Sequence, residues 1–147
     1  GAERMLGNQL VDACIKGLDF NLHDKRHVLR AGLEGIAFAF VYGLEIMEEL
    51  GIKPKILRVG NDNLFQSNIF SQTLADAANV EIAVYETTGA VGAAKGAAYG
   101  AGLVNDFSAL HTDLQVVKKY LPESNEKARE SYLQWKNYLN QQLDKTT

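Results

Sequence analysis

Apolar residues recur at steps of three and four through most of this chain and gather into short β-branched runs at two places. The first pattern marks one face of a helix, the second a buried strand. In residues 4–16, Leu6, Leu10, Val11, Cys14 and Ile15 stand at helical spacing, and Gly17 is a stop. A long helix is predicted to begin after Asp24, a good N-cap. Its stripe runs Leu29, Leu33, Ile36, Phe40, Leu44, Met47, Leu50, and Gly51 ends it, with Pro54 preventing resumption. Residues 55–60 (KILRVG), bounded by Pro and Gly, read as a strand, and Asn61, Asp62 and Asn63 as a turn. Ser67 caps a helix to Ala78 with Ile69, Phe70, Thr73, Leu74 and Ala77 inward, and Asn79 closes it. Residues 80–85 (VEIAVY) read as a second strand.

Thr87 or Thr88 caps the next helix, which runs to Leu103 and is rich in glycine and alanine: Gly89, Gly92, Gly96 and Gly100 among six alanines. Each helical glycine costs about 1 kcal/mol relative to alanine. So many imply that another element or a ligand approaches the backbone. A loop at 104–108 and a short helix at 110–120 precede Pro122. The last helix starts near Ser124 and presents Ala128, Tyr132, Trp135, Leu139 and Leu143 on one face. Strand–helix–strand is a βαβ unit with parallel strands. Two parallel strands need more neighbours and cover on both faces, so a portion preceding this chain is expected.

A length of 147 residues suits one domain with its own core. Net charge −3 argues against binding driven by a nucleic-acid backbone. It leaves ATP open, because backbone N–H groups hold phosphates without net positive charge. One cysteine, Cys14, permits no internal disulfide, and a reduced, cytoplasmic compartment is expected. Its apolar helical setting predicts a buried, inert thiol. No secretory signal and no uninterrupted apolar run of membrane-spanning length is expected. Gly1 and Ala2 read as leftovers of cloning.

Gly60-Asn61-Asp62-Asn63 follows a strand and precedes a helix capped by Ser67, the place where nucleotides bind in parallel sheets. A plain polar turn is the other reading of the same residues. The run Gly89-Ala90-Val91-Gly92-Ala93-Ala94-Lys95-Gly96 fails as a phosphate loop, since Ala94 precedes the lysine and Gly96 follows it. His23, His27 and His111 have no metal-ligand spacing. Asp12, Glu34, Asp62, Asp76 and Glu86 stand in no catalytic signature. No metal ligand and no catalytic residue is assigned. Trp135 and Tyr138 read as packing residues.

Taken in order, these segments resemble the C-terminal domain of the FGGY carbohydrate kinases, most closely the xylulokinases. Ala13, Ile15, Gly17, Leu18, His27, Val28, Ala31, Leu33 and Glu34 fit the family's second signature, from which Gly32 departs. Counting back from Gln72, Leu74, Ala75 and Asp76 places Ser67 at the end of the family's glycine-rich loop and Gly60 on its first glycine. Asn61, Asp62 and Asn63 stand where small residues are usual, in a longer loop. Glu86 to Ala94 (ETTGAVGAA) looks like the family's connecting helix at the domain hinge, and YLQWKNYL from Tyr132 looks like its terminal helix.

The resemblance implies an α/β fold, a helix-rich fragment of an actin-like ATPase (ribonuclease H-like) domain with a small parallel sheet. It implies that residues 1–147 are the C-terminal part of the kinase, incomplete at the N-terminus. Gly60, Asn61, Asp62, Asn63 and Ser67 would face ATP, with Mg²⁺ as the accompanying ion. The parent reaction would transfer the γ-phosphoryl of ATP to xylulose, giving xylulose 5-phosphate and ADP. Gluconate, ribulose and glycerol are the alternative substrates. The sugar and the catalytic base would belong to the missing portion, leaving this chain inactive alone. Partners are ATP and no nucleic acid or membrane. A packing module that forms a homodimer is the alternative from another class.

Overall fold

The computed structural model describes residues 2–111, 114–123 and 126–145. A two-stranded antiparallel ribbon, β1 (Ala2–Glu3) and β2 (Gln9–Leu10), opens the chain around a 3₁₀ turn at Arg4–Leu6. The helix expected over residues 4–16 is therefore absent. Gly7 (φ 65°) and Asn8 (φ 62°) turn the backbone left-handed, which a continuing helix forbids. The apolar spacing there finds no core: Leu10 is 68% and Ile15 52% exposed. Cys14 is exposed rather than buried, and its Sγ accepts a hydrogen bond from Gln142 Nε2 at 2.7 Å.

Helix α1 (Lys25–Glu49) begins where Asp24 caps it. The Asp24 carboxylate accepts from Arg26 N at 2.9 Å, while Asp24 N donates to His27 Nδ1 at 3.2 Å, so two orphan donors are satisfied reciprocally. The Arg26 guanidinium beside Asp24 holds its carboxyl well below the usual carboxylate range. Gly51 (φ 82°) ends the helix. The buried face of α1 is Ala37, Phe38 and Val41, with Leu33 and Leu44 packed beside them. Of the expected stripe, Leu29 (68%), Ile36 (43%) and Leu50 (75%) are exposed, so the inward face is rotated from that expectation. The helix is apolar on both sides, and only its neighbours select one. In length and mean hydropathy (1.2) α1 also meets the lower limit for crossing a membrane, which a count of uninterrupted apolar runs misses. Here it packs on α2 and α4 through Ala37, Phe38 and Val41, and most of its surface is left uncovered.

Strand β3 (Ile56–Gly60), helix α2 (Asn68–Ala78) and strand β4 (Glu81–Tyr85) form the predicted parallel unit, in register from Ile56↔Glu81 to Gly60↔Tyr85. Asn79 (φ 52°) closes α2. Helix α3 (Gly89–Gly100) follows, capped by Thr88, whose Oγ1 accepts from Val91 N at 3.4 Å. After a 3₁₀ turn at Ser108–His111 comes β5 (Val116–Tyr120), antiparallel to β4. A helix was expected over 110–120. The run Val116-Val117-Lys118-Lys119-Tyr120 instead pairs with β4, and Thr112 and Asp113 of that span lie outside the described residues. The sheet, in the order β3-β4-β5, is thus mixed rather than parallel. Helix α4 (Glu126–Leu143) completes the chain, and the start expected near Ser124 lies outside the described residues.

The core lies between the sheet, α1, α2 and α4. Phe70, Leu74, Ile82 and Val84 are fully buried, each contributing about 1.5–3 kcal/mol of transfer energy. The buried Ser71 is satisfied: its Oγ donates to Phe65 O at 3.2 Å. Trp135 packs against Phe38 and stacks on Tyr132, the packing role expected of it. Tyr132 and Lys136 of α4 both donate to Glu45 Oε2 of α1, each at 2.6 Å.

Candidate functional site

In a parallel pair both strands end at the same edge, so the loops after β3 and β4 meet there. Gly60 is the last residue of β3. A Cβ built on it would lie 2.7 Å from Thr87 O and 3.3 Å from Thr88 Cα, so no side chain fits without a backbone shift. The crowding comes from the chain's own β4–α3 loop. That accounts for the glycine without any ligand.

The residues following Gly60 are tied to that same loop. Asn61 N donates to Tyr85 O (2.9 Å) and Thr87 O (3.0 Å), and Asn61 Nδ2 to Glu86 Oε2 (3.3 Å). Gln66 Nε2 donates to Asn61 O (3.1 Å). Asp62 Oδ2 accepts from Gly89 N, the first amide of α3, at 3.0 Å. Asn63 (φ 49°) takes the left-handed turn that asparagine tolerates and opens a 3₁₀ turn, Asn63–Gln66. Ser67 Oγ caps α2, accepting from Phe70 N at 3.3 Å. The structure thus brings Gly60, Asn61 and Asp62 against the β4–α3 loop, while Asn63 and Ser67 shape the entry into α2. Both carboxylates here, Asp62 and Glu86, are engaged in hydrogen bonds.

Lys118 was not singled out in the sequence, because β5 was read as helix. Its Nζ donates to Asn68 Oδ1 at 2.5 Å at the start of α2, and it lies 4.8 Å above the Tyr120 ring. Tyr120 OH donates to the same Asn68 oxygen at 2.8 Å. The β-branched and aromatic run around Lys118 was the available signal. A cation beside a helix N-terminus makes this end of the sheet favourable to an anion. Two concavities lie elsewhere: a cleft of about 380 Å³ between α1, α2 and α4, bordered by Arg30, Glu34, Gln72, Asp76 and Lys127, and one of about 240 Å³ beside His23 and His27. Among the described residues no three His, Cys, Asp or Glu side chains are grouped to hold a metal ion.

Comparison with known proteins adds three findings. The model for the FGGY family of carbohydrate kinases, C-terminal domain, matches residues 5–101. Glycerol kinase of Bacillus licheniformis is 33% identical over 92% of this chain and 28% of its own length, and L-xylulose/3-keto-L-gulonate kinase of Escherichia coli is 33% identical over 69% of this chain and 21% of its own. Among solved structures, the ligand-bound xylulose kinase of Lactobacillus acidophilus superposes with a TM-score of 0.63 at 25% identity, over 90% of this chain and 28% of that one. The chain spans between a fifth and a third of the length of these relatives. The order of elements and the matched segment agree: the chain belongs to the FGGY family of carbohydrate kinases and is a C-terminal domain with the actin-like ATPase fold.

Proposed function

We propose that this chain forms the nucleotide-facing wall of an ATP-dependent kinase that phosphorylates a hydroxyl of a small sugar, with xylulose as the favoured substrate. The observation that carries the reading is the loop 60–67 at the carboxyl ends of two parallel strands, in a chain of this family. Phosphoryl transfer depends on positioning and on stabilising developing charge. Gly60, Asn61, Asp62, Asn63 and Ser67 would border ATP, with Lys118 and the N-terminus of α2 adding positive potential nearby. Mg²⁺ would arrive with the ATP phosphates; among the described residues no three His, Cys, Asp or Glu side chains are grouped to hold it. The base and the sugar pocket would lie in the part of the kinase beyond this chain. A cytoplasmic site of action goes with ATP as donor.

Xylulose, proposed as the D isomer, is supported by what the Lactobacillus acidophilus structure is named for, whereas the Escherichia coli relative is named for L-xylulose and 3-keto-L-gulonate. Glycerol is the second reading, favoured by the Bacillus licheniformis relative, which matches more of the chain. An ADP-release assay on the full-length kinase with xylulose, glycerol, gluconate and ribulose separates them. Xylulose is expected to show the highest kcat/KM by about tenfold or more, and glycerol in that place would replace it. Titrating this chain with MgATP is expected to give a saturable response. A flat titration would favour a packing module instead, one that joins a second copy through the open side of β3, where Ile56 is 44% exposed.

A further inference from the structure

We propose that Asp62 is a positioning residue that clasps the loop 60–67 to the first turn of α3, so that the nucleotide-facing loop and α3 move as one body. The inference rests on the nucleotide reading of that loop. Asp62 stands at the N-cap of its own 3₁₀ turn with extended backbone (φ −138°, ψ 169°), yet its side chain makes no capping bond there. The carboxylate reaches across to Gly89 N instead, 27 residues on. Helix α3 already has a local cap in Thr88, which serves Val91 N. Asp62 therefore satisfies a second amide of the same helix end, from a different loop. A carboxylate on a backbone N–H is a charge-assisted bond, and the helix dipole favours it at an N-terminus.

The rest of the loop repeats the connection. Asn61 holds Tyr85 O, Thr87 O and Glu86 Oε2, and Gly60 admits the Thr87 carbonyl where any Cβ would collide. Gly60 and Asn61 thus touch the β4–α3 loop by different means, and Asp62 reaches the first residue of α3. Removing the Asp62 carboxylate cuts the side-chain hydrogen bond that joins loop 60–67 to α3. The loop should then sample geometries in which its backbone no longer lines up with ATP, and affinity is lost in proportion to the fraction of time spent there.

Amide hydrogen exchange on this chain and steady-state kinetics on the full-length kinase test the proposal together, using Asp62→Ala and Asp62→Asn. Asparagine keeps an acceptor oxygen in place. Exchange at residues 60–67 and 88–91 is expected to speed up about tenfold or more in Asp62→Ala and to stay within about threefold of the parent in Asp62→Asn. KM for ATP is expected to rise in Asp62→Ala, with kcat and the sugar KM little changed and Asp62→Asn rescuing most of the loss. Unchanged exchange in Asp62→Ala would overturn the clasp whatever ATP does. Faster exchange with an unchanged ATP KM would overturn the positioning role, while a flat MgATP titration of the parent chain is the separate result that would remove the nucleotide reading of the loop. Global unfolding of Asp62→Ala would make the residue structural and would also overturn the proposal.

Discussion

Individual residues at the two ends of the core explain more than their types suggest. Gly60 is required by the Thr87 carbonyl and not by any property of a strand end. Gly60→Ala should therefore destabilise this chain by roughly 1–3 kcal/mol, read as a lower denaturant midpoint at constant slope. An unchanged midpoint would show that the two loops part easily. Glu45 illustrates a second residue-level effect. Burial pushes its carboxyl up, but hydrogen bonds from Lys136 and Tyr132 outweigh that and leave it lowered. A lowered carboxyl contributes stability at neutral pH that is lost as pH falls below its ordinary value of 4.5. Tyr132 is shifted the other way, by burial first and then by its bond to Glu45. Its contribution is complete below its ordinary value of 10.0 and is lost as pH rises beyond it. Melts across pH should show stability declining at both ends. Glu45→Gln should flatten the acid side and cost about 1 kcal/mol at neutral pH, discounted for partial exposure. An acid limb as steep as the parent's would assign the effect to other groups.

At the scale of elements, α3 departs most from expectation. Its glycines predict a close neighbour, either α1 or another domain across a hinge. Here no residue of α3 is buried, and a Cβ on Gly92, Gly96 or Gly100 would meet nothing within 4 Å. The contact with α1 is thus corrected: the glycine face is open in this chain. Gly96→Leu should raise the midpoint of the isolated chain, since leucine is the better helix former by roughly 0.8 kcal/mol. In the full-length kinase the same change should cost roughly 1–3 kcal/mol if another domain covers that face. Stabilisation in both proteins would leave the glycines without a packing role. By contrast the ends of α1 and α2 and the parallel pair β3–β4 fall where they were read, because their signals are local. Asp24 and Ser67 cap by short-range bonds, Gly51 and Asn79 supply the left-handed stops, and the two β-branched runs were bounded by breakers.

Across the whole molecule, neither outer strand of the sheet, β3 or β5, pairs on its far side among the described residues. Lys55 O and Asn61 N face β4, so by alternation the backbone groups of Ile56, Arg58 and Gly60 point to the free edge. The proposed parent reaction needs a base and a sugar pocket that this chain is not assigned. Incubated alone with MgATP and xylulose or glycerol, it is therefore expected to release no ADP above background. Turnover at about 1–100 s⁻¹, the range typical of kinases, would place the whole reaction within it. By itself the sequence determined the βαβ unit, helices α1 and α2 through their caps and stops, the position of the loop 60–67, and the family through the order of its segments. Each of these is written in neighbouring residues, where sterics and short-range hydrogen bonds act. Tertiary structure alone decided which of the two apolar sides of α1 turns inward and that residues 116–120 become an antiparallel strand beside β4. It also decided that Asp62 reaches Gly89 and that Lys118 stands at the start of α2. Those outcomes depend on groups far apart in the chain, and periodicity cannot rank two apolar faces or two competing partners until the core exists to choose between them.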